Sequence, residues 1–412
     1  MRKTFALLLA AALCASCQTT PKDIPVWDFS KDGSADPSES PYHSDDPSST
    51  DPSKDDDGTR KEIPAYTDMV LVYGYSPHRS PYNWTEEYMR DYVSWTDPAT
   101  GKSHWLFDAF LCLEFMDCGG HNGNKTFITG YKYNGNYLES ANKSDWESLA
   151  DYYFQDYVNV GAIDRAVGDA AKTLGQPSHK RQIVVGIPEP IEYRYNNYGQ
   201  NQSGGTTYWG EIDGKTMDFS KSKDRLTAVK WYIDTVIKLF NARNYQNVEL
   251  GGFYLTAERS DFVDDILIDI SRYLQPMKYS FNWIPYFHAY GYTNWKQYGF
   301  TYAFMQPNYF FSEEITYDRL TTACQDVLEN GMGMEIEFDG KVLDTSEYKW
   351  GYRLRDYMKA ARDYEVWDNC KLVYYQGSWA VRWLKYSTSE IDRELFNDFC
   401  KFVVERPLRD DN

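Results

Sequence analysis

Basic residues are scarce in this chain. Its 43 Lys and Arg face 61 Asp and Glu, a formal net charge of −18. A nucleic-acid partner demands a positive surface, so nucleic acid is excluded, and anionic lipid and strongly acidic polymers are disfavoured on the same ground. Glycine-rich phosphate loops are also missing. Gly119-Gly120 and Gly204-Gly205 are isolated pairs, which argues against nucleotide chemistry on a doubly wound sheet. Histidines number only six, and no Ser-His-Asp elbow is present. The cysteines, Cys14, Cys17, Cys112, Cys118, Cys324, Cys370 and Cys400, lack zinc-ligand spacing. With Cys14 and Cys17 in the leader, five remain. An odd number implies buried thiols rather than a complete disulfide framework.

Long apolar runs are lacking as well. The longest, Phe5 to Leu13, follows Arg2 and Lys3 and is too short to span a membrane. It reads as a secretion signal over residues 1–17. Cys14-Ala15-Ser16-Cys17 is similar to a lipobox, with Cys17 the expected site of lipidation. Gln18 follows in place of Asp, so the exported chain is expected on the outer membrane. Residues 18–62 are rich in Asp, Ser, Pro and Lys. Such a segment cannot bury enough apolar surface to order itself, and reads as a solvated tether. Contact with a membrane is expected through the lipid anchor alone.

Residues 63–408 form the expected folded domain. Apolar strand-like runs alternate with helical patterns, which implies a parallel sheet. The strands read as 68–75, 105–115, 182–188, 248–258, 279–287, 302–309, 332–339 and 371–376. Helices read as 144–174, 224–242, 261–274, 317–329, 347–364 and 387–404, with a short one near Asn294. Eight strands with mostly helical crossovers predict an α/β fold, the (β/α)8 barrel of TIM type.

Active sites of such barrels lie at the carboxyl ends of the strands, and here those ends are polar and aromatic. The seventh is the most unusual: Gly331-Met332-Gly333-Met334-Glu335-Ile336-Glu337-Phe338-Asp339-Gly340. Alternation puts Met334, Ile336 and Phe338 on one face and Glu335, Glu337 and Asp339 on the other. Buried carboxylates are costly unless paired or bonded. Glycosidic cleavage needs two carboxyl groups across the bond. Glu258 ends strand four and Glu337 or Glu335 ends strand seven, the positions of acid/base and nucleophile in the large clan of retaining barrel glycosidases; this correspondence is a fold analogy. Candidate sugar-binding residues at the other ends are Tyr73, Tyr75, Glu189, Trp283, Tyr286, His288, Gln306, Asn308, Tyr375 and Gln376, with Trp209 a stacking ring in the long loop from Glu189 to Ser222. Amides and acids bond hydroxyls, and rings stack on sugar faces. The 36 Tyr and 13 Trp fit that use.

Several runs carry a family resemblance: Trp105 to Leu111, Trp209 to Gly214, Gly252-Phe253-Tyr254 with Glu258, Trp283 to Phe287, Met305 to Tyr309, Gly331 to Asp339, and Tyr374 to Gly377. The folded region resembles the bacterial family called domain of unknown function 4855, described as glycosidase-like barrel proteins. The resemblance implies a barrel and a carbohydrate context. The expected function is therefore a cell-surface glycoside hydrolase, retaining, acting on a poly- or oligosaccharide without a cofactor. A non-catalytic glycan-binding lipoprotein is one alternative. The other is a metal-dependent carbohydrate-active enzyme that uses the strand-seven acids as ligands. Sugar, linkage and oligomeric state stay open.

Overall fold

The computed structural model describes residues 62–73, 83–116, 125–133, 136–192 and 208–411. The leader, Cys17, nearly all of the tether, Tyr75 and residues 193–207 of the loop after Glu189 lie outside the described residues.

Eight parallel strands close into a barrel in chain order. They are β1 (Asp68–Tyr73), β2 (Ala109–Leu113), β3 (Arg181–Ile187), β4 (Val248–Leu255), β5 (Ser280–Trp283), β6 (Tyr302–Met305), β7 (Gly333–Glu337) and β8 (Leu372–Tyr375). β8 pairs back onto β1 through Asp68 and Leu372. Around them stand helices α1 (Glu86–Val93), α2 (Lys143–Tyr153), α3 (Asn159–Leu174), α4 (Ser222–Asn241), α5 (Asp264–Leu274), α6 (Asp318–Asn330), α7 (Gly351–Asp363), α8 (Ala380–Lys385) and α9 (Glu390–Val404). β5 and β6 are joined by a 3₁₀ turn at Tyr292–Asn294. Among the described residues no helix is long and apolar enough to cross a membrane.

Strand alternation divides the apolar residues into two cores. Met69, Leu71, Tyr73, Leu111, Leu113, Val184, Tyr254, Ile284, Phe304 and Val373 fill the barrel. Their neighbours, such as Val70, Val72, Phe253, Phe281, Met334 and Ile336, pack beneath the helices. Cys112, Cys324, Cys370 and Cys400 are buried free thiols, as expected; Cys118 lies outside the described residues.

Two elements differ from the pattern expected. The apolar stretch from Trp105 is interrupted: Ser103–Trp105 pairs antiparallel with Ser94–Thr96, and β2 starts only at Ala109. Between them the Asp108 carboxylate accepts the backbone N–H groups of Thr67 and Asp68, which turns the chain into the barrel. The single helix expected over 144–174 is two. Asn159 has φ 47°, and its side-chain amide donates to the Tyr152 carbonyl at the end of α2, 3.2 Å away. A side chain that satisfies an orphan carbonyl ends one helix as the next begins.

The base of the barrel is fastened by one carboxylate. Asp68, fully buried, accepts from Arg406 at 2.6 Å, Arg409 at 3.2 Å and the Tyr374 hydroxyl at 2.6 Å. Arg406 also donates to the carbonyls of Thr67, Trp367 and Cys370. Burial alone would raise the Asp68 carboxyl, but Arg406, Arg409 and Tyr374 outweigh it and hold it below the usual carboxylate range. A folded-state value below the unfolded one stabilises the fold at neutral pH, and that contribution is lost as pH falls through the lowered value. Asp68→Asn leaves two buried guanidinium groups without a counter-charge. It should cost about 3–5 kcal/mol, read as a lower urea midpoint at pH 7. The difference from the unsubstituted chain should shrink on acidification.

Candidate active site

β7 lies between β6 and β8 with Glu335 opposite Val373 and Glu337 opposite Tyr375. Met334, Ile336 and Phe338 join the outer core, so Glu335 and Glu337 face the barrel interior, where they are 2% and 1% exposed. Asp339 has the same parity but leaves the group. Its carboxylate accepts the Lys341 N–H at 2.8 Å, capping the 3₁₀ turn Gly340–Val342. The expected acidic triplet is therefore a pair.

The two acids have unequal surroundings. Glu337 Oε2 accepts the Tyr357 hydroxyl from α7 at 2.5 Å and the Asn308 backbone N–H at 2.6 Å. Asn308 follows Pro307 and has φ 53°, the left-handed turn that aims this N–H inward. Arg319 of α6 donates to the Pro307 carbonyl at 3.0 Å and adds positive potential at Glu337. Glu335 receives no hydrogen bond among the described residues. Burial pushes both carboxyls up. Glu335 is raised further by Glu337 and Glu258; at Glu337 the Tyr357 and Asn308 donors oppose the shift and Glu258 adds to it. Such a pair titrates as a unit. The donors favour the carboxylate at Glu337, so the shared proton resides on Glu335.

Glu258 stands three residues past the end of β4, partly open at the mouth. Gln306, just past β6, uses one amide nitrogen to reach Glu258 Oε1 at 3.1 Å and the Ile284 carbonyl at 2.9 Å. Burial raises the Glu258 carboxyl, against that one hydrogen bond. Tyr254, inside the barrel below Glu258, is raised by burial and then by the charges of Glu258 and Glu335; its ring lies within the field of both. Arg259 lines the pocket beside Glu258 and forms a two-point pair with Asp261, both contacts 2.5 Å.

A pocket beside Glu258 is lined by Thr129, Tyr131, Glu189, Phe262 and Tyr286. Burial pushes Glu189 up to about 7. Both of its oxygens are taken by Thr129, one by the backbone N–H at 2.7 Å and one by the hydroxyl, so it pins the 125–133 segment to the end of β3. Opposite runs an arc of rings in edge contact: Tyr131 to Phe115 at 6.1 Å, Phe115 to Tyr73 at 5.6 Å, Tyr73 to Tyr375 at 5.7 Å and Tyr375 to Phe311 at 5.7 Å.

The mouth thus gathers Glu258, Glu335, Glu337, Glu189, Tyr73, Tyr286, Gln306, Asn308 and Tyr375 from the residues singled out in the sequence. Four others belong elsewhere. Trp283 has the opposite parity to Asn282 and Ile284; it stacks on Phe300 at 5.1 Å under the helices and donates to the Ala257 carbonyl. Trp209 is 2% exposed, wedged against Trp146, Phe219 and Trp231. Gln376 is fully buried and ties Tyr92 of α1 to the Ser378 carbonyl. His288 stacks on Phe287 and bonds Asp326 of α6 at 2.8 Å, so it faces the helix layer. Sequence reasoning missed Tyr357, Arg319, Tyr254, Phe115, Tyr131 and Phe311. Only Tyr254 carried a signal, since it shares inward parity with Glu258. Among the described residues no group of three or more His, Cys, Asp or Glu is disposed to hold a metal ion.

Tyr357→Phe removes one donor from Glu337 and leaves the ring in place. The apparent pKa at which the β7 pair releases its first proton should rise by about one unit, the worth of one ordinary hydrogen bond. Carboxyl-carbon NMR titration of selectively labelled Glu checks this; an unchanged or lowered value would contradict the assignment of charge to Glu337.

No protein of curated function matches the chain. Two solved structures share similarity at low identity. A mutant tryptophan synthase alpha-subunit from the hyperthermophile Pyrococcus furiosus is 9% identical, with TM-score 0.31, over 82% of this chain and 99% of that one. GH26C from Muricauda sp. MAR_2010_75 is 12% identical, with TM-score 0.35, over 76% of this chain and 80% of that one. One family model covers most of the barrel, matching residues 68–401. The chain belongs to the family described as Domain of unknown function (DUF4855).

Proposed function

We propose that the barrel is a glycoside hydrolase, with Glu258 as general acid/base and Glu337 as nucleophile in a retaining cleavage of a poly- or oligosaccharide. The observation that carries this reading is the state of the two carboxyls. Each is held by the protein through one oxygen, Glu258 by Gln306 and Glu337 by Tyr357 and Asn308. Among the described residues the second oxygen of each accepts nothing. Two carboxyls anchored on one side and free on the other suit proton transfer to a leaving oxygen and attack at an anomeric carbon.

Their environments suit those roles. Burial keeps Glu258 protonated to higher pH than a free carboxyl, as an acid requires. Burial raises the Glu337 carboxyl too, but Tyr357, Asn308 and Arg319 oppose that shift and make Glu337 the more readily ionised of the β7 pair, the order a nucleophile requires. Glu189 is a poorer partner for Glu258, because Thr129 occupies both its oxygens. The ring arc supplies the flat faces and edges on which sugar units rest. The leader and tether would carry such an enzyme to the cell envelope on a lipid anchor at Cys17.

The test is a screen of the chain against a broad glycan panel, with Glu258→Gln and Glu337→Gln as controls. Each substitution should lower hydrolysis by at least about 10²–10⁴-fold, with binding little changed and product of retained anomeric configuration. The rate should follow a bell in pH, the acid limb from ionisation of the β7 pair and the alkaline limb from loss of the Glu258 proton. Binding without turnover across the panel would make the protein a glycan-binding module instead.

A further inference from the structure

The mouth contains more acid than the cleavage of a neutral glycoside uses. Two carboxyls suffice for the reaction, and Glu189 is committed to Thr129. That leaves Glu335. It is 2% exposed, receives no hydrogen bond among the described residues, and its surroundings include Glu337 and Glu258 but no cation. Among the described residues Glu258 likewise accepts a single hydrogen bond, from the Gln306 amide. The nearest basic groups have other commitments: Arg259 is paired with Asp261, and Arg319 bonds the Pro307 carbonyl and lies over the Phe287 ring at 4.2 Å. A buried carboxyl with neither donor nor counter-charge is costly to the fold. The same chain shows what a compensated one looks like at Asp68, with two arginines and a tyrosine around it.

Resting on the hydrolase reading above, we propose that the glycan this site takes contains a free amino sugar, whose ammonium group sits against Glu335 between Glu258 and Tyr254. The ligand then brings the positive charge that the protein omits. Tyr254 and Tyr73 belong to the same barrel interior, with Tyr375 packed against them and meeting Tyr73 edge to face. An aromatic wall adds cation–π attraction for an ammonium and stacking for the pyranose. A uronic acid would meet Glu258, Glu335 and Glu337 with like charge, while Arg259 is paired with Asp261 and Arg319 with the Pro307 carbonyl. An N-acetylated unit would bring a neutral amide and leave Glu335 without a counter-charge.

Binding has a proton balance that distinguishes this from a neutral sugar held by a protonated Glu335. The empty site stores its shared proton on Glu335. An arriving ammonium replaces that proton, which passes to solvent. A neutral hydroxyl releases none.

The experiment is calorimetry on the full chain with matched oligomers of glucosamine, N-acetylglucosamine and glucose, in buffers of different ionisation enthalpy, with calcium chloride as a separate probe. Glucosamine oligomers should bind at least about tenfold tighter than the other two, with a buffer-dependent heat showing proton release. Glu335→Gln, close in shape, should abolish both the preference and the proton release. Equal affinity for the neutral or N-acetylated oligomers, no binding of glucosamine oligomers at millimolar concentration, or binding of calcium at this site in their place each overturns the proposal. The comparison of ligands on the unsubstituted chain stands even if Glu335→Gln folds poorly. Hydrolysis of a neutral glycan that depends on Glu258, without preference for amines, overturns this inference and spares the hydrolase reading. Amine-selective binding without turnover of any glycan does the reverse.

Discussion

Two carboxyls on alternate residues of one strand, both turned into a closed barrel, cannot both be ionised without help. Like charges at that spacing and burial repel strongly. Every polar feature around Glu335 and Glu337 answers this constraint. Tyr357 reaches in from α7, Asn308 adopts a left-handed backbone to turn its N–H inward, and Arg319 lends positive potential from α6. All three act at Glu337. The asymmetry divides one proton between two similar groups and gives them different chemistry.

The opposite end of the barrel shows the same residue type under the opposite treatment. Asp68 is as deeply buried, yet it is surrounded by Arg406, Arg409 and Tyr374 and is held low. It fastens the C-terminal segment under the strands, and its charge is spent within the protein. The acids at the mouth are raised and only partly bonded. Buried charge compensated internally is architecture. Buried charge left for something else to compensate marks a functional site. The contrast within one chain is a stronger argument than either end alone, because Asp68 is ion-paired with two arginines and none of the three acids at the mouth is ion-paired among the described residues.

How much of this was legible in the sequence depends on distance along the chain. Strand number, barrel class and the inward parity of Glu335 and Glu337 follow from local alternation, and the structure repeats them. Glu258 and Gln306 were legible as polar residues just past apolar runs. Trp283 was misread because a strand end looks the same from either face; parity opposite to that of Asn282 and Ile284 sends it outward. Trp209 and Gln376 were misread because packing partners such as Trp146 and Tyr92 are far off in the chain. Tyr357 was invisible for a related reason. It is one tyrosine on an amphipathic helix, and only the crossing of α7 over the end of β7 makes it a donor.

Depth decides which acid takes which part. Glu337 is in register with Tyr375, a member of the ring arc. Glu335 is in register with Val373, which is itself opposite Met69 in the apolar filling of the barrel. The ring arc is therefore level with Glu337, and Glu335 lies one layer below; a sugar ring held on the arc, as proposed above, would share the level of Glu337. A group in the lower layer meets only what projects from the sugar toward the barrel floor. On the hydrolase reading proposed above, attack at an anomeric carbon would fall to the acid level with the ring, which is also the one whose ionisation Tyr357, Asn308 and Arg319 ease relative to Glu335. Recognition of a substituent would then fall to the acid beneath it, which receives no hydrogen bond among the described residues. Depth and hydrogen bonding thus lead independently to the same division of labour on β7.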